Sequence, residues 1–213
     1  MRKVLLALLV ALAAVSVGGA AVAKSRLIGT FRDGTYTSPD ASFRVKVPAV
    51  LDASVVVSDV VGTDGEGVVT FSDDWCRQFY VHRIPLPSPL KTQDQLLGFV
   101  RLGIATAWET SKRAVIDSIE PIDVGRGLSA AMRLHQPGGP CRALVVEGGK
   151  PVDKEVPSDV VAYVFVESDT VYEIGLTVGR RKVGEMKFAP SATEEDLKAF
   201  LAGLVTQPHE ISR

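Results

Sequence analysis

The sequence predicts an α+β domain in which an antiparallel sheet is covered by two amphipathic helices. Three observations predict it. Short β-branched runs recur between clusters of glycine, proline and aspartate, as half-buried strands do. Two segments, around 92–113 and 191–205, carry apolar residues at helical spacing behind a capping signature. The order is strands, helix, strands, helix, and each helix must bury its stripe against a sheet that offers two faces.

The chain opens with Arg2 and Lys3, continues through an apolar run from Val4 to Val15 and reaches Ala21-Val22-Ala23. Basic head, short apolar middle and Ala-x-Ala exit are the parts of a secretory signal peptide. The apolar run is about a dozen residues, short of the roughly 20 that a spanning helix needs. No cysteine lies near Ala23 to be acylated. Residues 24–213 are therefore expected as one mature domain, periplasmic or secreted, with no transmembrane segment. Without Arg2 and Lys3, 22 basic residues face 25 acidic ones. A net charge of about −3 speaks against nucleic acid as partner, because phosphate binding needs clustered positive charge.

Lys24–Thr35 reads as a loose lead-in. Pro39-Asp40 sets a turn, and Phe43, Val45 and Val47 then alternate with Ser42, Arg44 and Lys46, one face buried and one wet. Ser54–Val61 is β-branched and strand-like. Val68–Phe71 and Arg77–Ile84 predict a hairpin broken near Ser72-Asp73-Asp74. Pro85, Pro87 and Pro89 force an extended crossover. Thr92-Gln-Asp-Gln95 fits a capping box, and Leu96, Phe99, Val100, Ile104 and Ala107 share a helical stripe closed by Lys112 and Arg113. Strand signals resume at Val115–Ile119, Leu128–His135 and Arg142–Glu147, and Gly148–Ser158 reads as a polar loop. Val160–Glu167 and Val171–Val178 flank Ser168-Asp-Thr170 as a second hairpin. A basic loop, Gly179–Pro190, leads to Ser191-Ala-Thr-Glu194, read as the cap of a helix carrying Leu197, Phe200, Leu201, Leu204 and Val205.

The motif Tyr36-x-Ser-Pro-Asp-x-x-Phe43-x-Val-x-Val-Pro48, the proline-rich crossover into a Thr92-capped helix, the hairpin at Ser168–Thr170 and the final helix together resemble the PsbP-like family. That family comprises extrinsic photosystem II subunits and their bacterial relatives. The resemblance spans nearly the whole mature chain by element order. It implies an α–β–α sandwich that serves as a docking module rather than an enzyme, and it transfers no functional residue.

Chemistry-bearing residues are few. Cys76 and Cys141 are the two cysteines of an exported chain, and a bridge between them is the leading expectation. Free or intermolecular thiols, and a metal or catalytic role, stand as alternatives. His82, His135 and His209 show no metal-ligand spacing to each other or to the cysteines. Asp73-Asp74, with Asp64 and Glu66, lacks the loop order of a calcium site and reads as a solvated turn. Gly125-Arg-Gly127-Leu-Ser-Ala130 matches a dinucleotide fingerprint by letters, with Glu147 beyond it. The segment that follows is strand-like, whereas the fingerprint needs a helix there. No nucleophile elbow, zincin motif or phosphate loop occurs.

The sequence thus predicts no catalytic residue, metal or cofactor, and points to an envelope protein as partner. Candidate contact residues are Trp75, Phe79 and Tyr80 on the aromatic hairpin and Arg180, Arg181, Lys182 and Lys187 on the basic loop. Two alternatives remain. One is an exported hydrolase whose triad joins a histidine to a distant serine or cysteine. The other is a small-ligand binder with a pocket between sheet and helix.

Overall fold

A computed structural model describes residues 27–51, 55–139, 142–180 and 191–207, with the side chains of 143–147 left aside. The signal segment lies outside the described residues, as do Cys141, Arg181, Lys182, Lys187 and His209. The fold is α+β, as the strand and helix order requires.

The lead-in holds more structure than expected. β1 (Thr30–Arg32) and β2 (Thr35–Thr37) pair antiparallel. Asp33 and Gly34 between them adopt φ 49° and 69°, the left-handed pair of a tight hairpin turn that Asp-Gly suits. β3 (Phe43–Lys46) buries Phe43 and Val45 and exposes Arg44 and Lys46, as alternation predicts.

β4 (Val56–Val61), β5 (Gly67–Ser72) and β6 (Arg77–Pro85) form an antiparallel meander. β7 (Val115–Pro121), β8 (Ser129–Gln136), β11 (Ser158–Glu167) and β12 (Thr170–Gly179) complete a seven-stranded sheet in the order β4-β5-β6-β12-β11-β8-β7. Its central strands are buried on both faces. Phe79 and Val81 of β6 join the core on one side, and Tyr80 and Ile84 the core on the other.

The first helical region packs on the Tyr80 side. It comprises α1 (Gln93–Phe99), a π-helical segment (Val100–Ala105) and α2 (Thr106–Lys112). The Thr92 capping box forms as predicted. The buried residues Leu96, Val100, Ile104 and Trp108 recur at every fourth position. In an ideal helix of 3.6 residues per turn, that spacing drifts by about 120° between Leu96 and Trp108. The wider π turn takes up the drift and returns Trp108 to the sheet.

The opposite side holds α3 (Glu194–Ala202) and a small sheet of order β1-β2-β3-β13, where β13 is Val205–Thr206. The cap of α3 is Thr193, boxed with Asp196, and not Ser191. Val205 leaves the expected helical stripe to pair with Arg44, because Gly203 has already ended the helix. Glu194, in the first turn of α3, accepts from Tyr163 Oη at 2.6 Å and from an Arg133 nitrogen at 2.9 Å, tying the helix to β11 and β8.

The expected polar loop after Gly148 is also structured. β9 (Arg142–Glu147) and β10 (Lys150–Glu155) form a separate two-stranded sheet. Gly148 and Gly149, at φ 56° and 77°, supply the turn.

Candidate functional site

β6 and β12 place His82 directly opposite Glu173, and β5 opens beside them at Glu66. His82 Nε2 lies 2.7 Å from Glu66 Oε1, and its Nδ1 lies 3.1 Å from Glu173 Oε2. The other oxygen of Glu173 accepts from Tyr80 Oη at 2.7 Å and from Trp108 Nε1 at 3.1 Å. All five side chains are buried. Burial pushes the His82 imidazole down, but hydrogen bonds to Glu173 and Glu66 and the two acidic charges outweigh it, raising the pKa to about 9. An imidazolium between two acids knits β5, β6, β12 and α2 together.

This cluster is closed to a substrate, and it lacks a nucleophile. His82 bonds to two carboxylates, and His135 Nδ1 bonds to Asp117 at 2.9 Å. Neither hydrogen bonds to a serine or cysteine among the described residues, and His209 lies outside them. The acids considered for calcium also part company. Glu66 turns inward to His82, while Asp73 is buried against Arg77 Nε at 2.8 Å and accepts from the Trp75 amide at 3.0 Å. Asp73 is therefore an ion-paired organiser of the β5–β6 loop, a correction to the solvated-turn expectation. Among the described residues no group of three or more acids, histidines and cysteines is placed to hold a metal. Gly125 and Gly127 lead into β8, a strand, so the dinucleotide geometry is absent there.

A cleft of about 100 Å³ lies between the N-terminal strands and the far end of β4–β5, lined by Tyr36, Phe43, Val60, Val61, Val68 and Arg83 among others. It does not lie between sheet and helix, where the ligand-binder alternative would put its pocket. Arg83 donates to the Gly65 carbonyl at 2.7 Å and pairs with Asp40 at 3.3 Å, while its buried Nε has no hydrogen-bond partner among the described residues. The volume is well below the roughly 300 Å³ at which pockets for drug-sized ligands begin.

The predicted contact residues divide. Phe79 and Tyr80 are 0 % and 6 % exposed and belong to the core, because β6 is central and covered on both faces. Trp75 is 37 % exposed on the β5–β6 loop. Arg180 bonds to Asp159 at 2.8 Å and is not an uncommitted cation, and the rest of the basic loop lies outside the described residues.

Cys76 follows Trp75 with φ 62°, just before β6 rather than inside it. It is buried against Gly179, where an added Cβ would fall 2.8 Å from Cys76 Cβ and 3.1 Å from Val156 Cγ1. Val156 in turn accepts from the Gly139 amide at 2.7 Å. Val156, just after β10, therefore lies near Cys76, and Gly139, just ahead of residues 140–141, is tied to Val156. The turn pair Gly148-Gly149 was the legible signal for the β9–β10 arm.

No family model matches this chain, and no curated protein matches it. Among solved structures, a crystal structure from Bacteroides thetaiotaomicron is similar at a TM-score of 0.43 and 11 % identity. The match covers 84 % of this chain and 50 % of that one, so the chain spans about half the length of the structure it resembles.

Proposed function

We propose that this protein is an exported, non-catalytic docking module whose contact element is the β9–β10 arm, with Trp75 beside its base. The observation that carries the reading is the arm itself. Among the described residues it pairs with no other strand, and a lone two-stranded hairpin is marginally stable in water. Its first strand reads Ala143-Leu144-Val145-Val146, an apolar run in the sequence. β10 keeps Lys150, Asp153, Lys154 and Glu155 exposed, the polar rim of such a contact.

A bridge between Cys76 and Cys141 belongs to the same reading, because it would staple the base of the arm to the β5–β6 loop. The route of the chain from Gly139 past Val156 to Cys76 supports it. Export supports it too, since the leader would deliver both thiols to an oxidising compartment. The resemblance to PsbP-like docking subunits points the same way. Among the described residues no helix is long and apolar enough to cross a membrane.

The test is crosslinking in intact cells from a photoreactive residue placed at Asp153, which pairs with Leu144 and shares its face of the arm. A reproducible envelope-protein adduct is expected, lost when Leu144 and Val146 are both changed to Ser. Adduct recovery unaffected by that double change would reject the arm as the contact element.

A further inference from the structure

The two edges of the seven-stranded sheet are built differently. β7 carries a bulge between Ile116 and Ser118 and ends in Pro121, and its acids are engaged: Asp117 with His135 and Glu120 with Arg133. Bulge, proline and charge are the usual devices that keep an edge from pairing. β4 has neither bulge nor proline. Its six residues pair with β5 without a register break, contain no proline or cation, and leave Val56, Val60 and Val61 exposed. Asp59, its one acid, turns away to accept from the Ile28 and Gly29 amides and Tyr36 Oη.

The outward-pointing backbone groups can be assigned. Gly62 donates to Glu66, and hydrogen-bonded pairs alternate along an antiparallel ladder, so Val60/Val68, Ser58/Thr70 and Val56/Ser72 face inward. Val57, Asp59 and Val61 then aim their N–H and C=O groups out of the sheet. No backbone bond to another strand takes them up among the described residues.

We infer that β4 pairs antiparallel with β4 of a second copy of this chain, joining two seven-stranded sheets across a two-fold axis. Charge and register select the geometry. Among two-fold registers that keep five of the six β4 residues paired, outward groups meet with Asp59 opposite Asp59 of the partner copy, or with Asp59 opposite Val57 of the partner copy. The first sets like charges face to face, which is unfavourable. The second centres the axis on Ser58, and it sets Val56 against Val60 of the partner copy on one face. That face offers two valine pairs around a serine pair, with no charge between them. A second copy satisfies this pattern because the strand is complementary to itself. A contact this small belongs to the weak class, with a dissociation constant on the order of micromolar.

The pairing is independent of the arm, and its test separates the two. Sedimentation of the mature chain over a concentration series should show a monomer–dimer equilibrium that Val60→Lys weakens at least tenfold while the melting temperature stays unchanged. Val56→Lys serves in its place if the first variant is poorly folded. At the centred register Ser58 faces its own copy in a non-hydrogen-bonded pair, so Ser58→Cys should form an interchain disulfide on mild oxidation. Glu120→Cys on the other edge should not, and neither should the unaltered chain. A monomer at every concentration, or equal crosslinking of the two cysteine variants, overturns the inference. So does a β4 edge that captures a different envelope protein while the chain stays monomeric. Loss of arm adducts with the dimer intact would fault the docking reading alone.

Discussion

His82 shows at the scale of one residue how buried charge sets pH behaviour. Its pKa of about 9 in the folded chain stands above the ordinary imidazole value of about 6.5. The proton it gains on folding stabilises the protein fully below about pH 6.5, and that contribution is lost as pH rises through about 9. Urea unfolding of the wild type should therefore show stability falling from about pH 7 to about pH 9.5. His82→Gln should begin about 3–5 kcal/mol lower, since Glu66 and Glu173 lose their buried counter-charge, and should lack most of that decline. Parallel pH profiles for the two proteins would assign the decline to other groups. Neither acid partner was legible beforehand, because Glu66 read as part of a solvated turn and nothing in the Val171–Val178 run singled out Glu173. Cross-strand register alone brings them to His82.

Among elements, the β6–β12 pair depends on one glycine. Gly175 lies opposite Tyr80, and a Cβ there would fall 2.2 Å from the tyrosine ring. The ring lies over the bare backbone and so reaches Glu173. Gly175→Ala should displace Tyr80 and cost about 1–3 kcal/mol by overpacking. Thermal unfolding should register this as a drop of several degrees, roughly 2–4 °C per kcal/mol at this size. An unchanged midpoint would mean the ring moves without loss. Both helices and most strands were legible because alternation and capping are local. The β1–β2 hairpin and strand β10 were missed, although Asp33-Gly34 and Gly148-Gly149 are turn pairs of known type. Polar neighbours around each pair hid strands that follow no apolar alternation.

For the whole molecule, the decisive covalent question is the proposed link between Cys76 and Cys141. A non-reducing mass of the mature protein should be lower by two hydrogens than the reduced mass. Such a bridge closes a loop of about 65 residues, worth up to about 4 kcal/mol by chain entropy. Reduction should lower the unfolding midpoint in urea, and Cys76→Ser with Cys141→Ser should reproduce the shift. Two titratable thiols in protein recovered from the envelope would remove the staple. The core has two layers, with α1 to α2 on one face and α3 with the small sheet on the other, so each central strand is buried on both sides.

Local chemistry in the chain by itself determined the fold class, the helical regions and most strand positions, because periodicity, caps and prolines act over a few residues. Tertiary structure alone decided which residues meet. It sent Phe79 and Tyr80 into the core, enclosed His82 between acids 16 positions before it and 91 after it, and left β4 without the protection that β7 carries. The reason is physical: contact across strands is set by register and strand order, and in a seven-stranded sheet those are fixed by the packing of both faces at once.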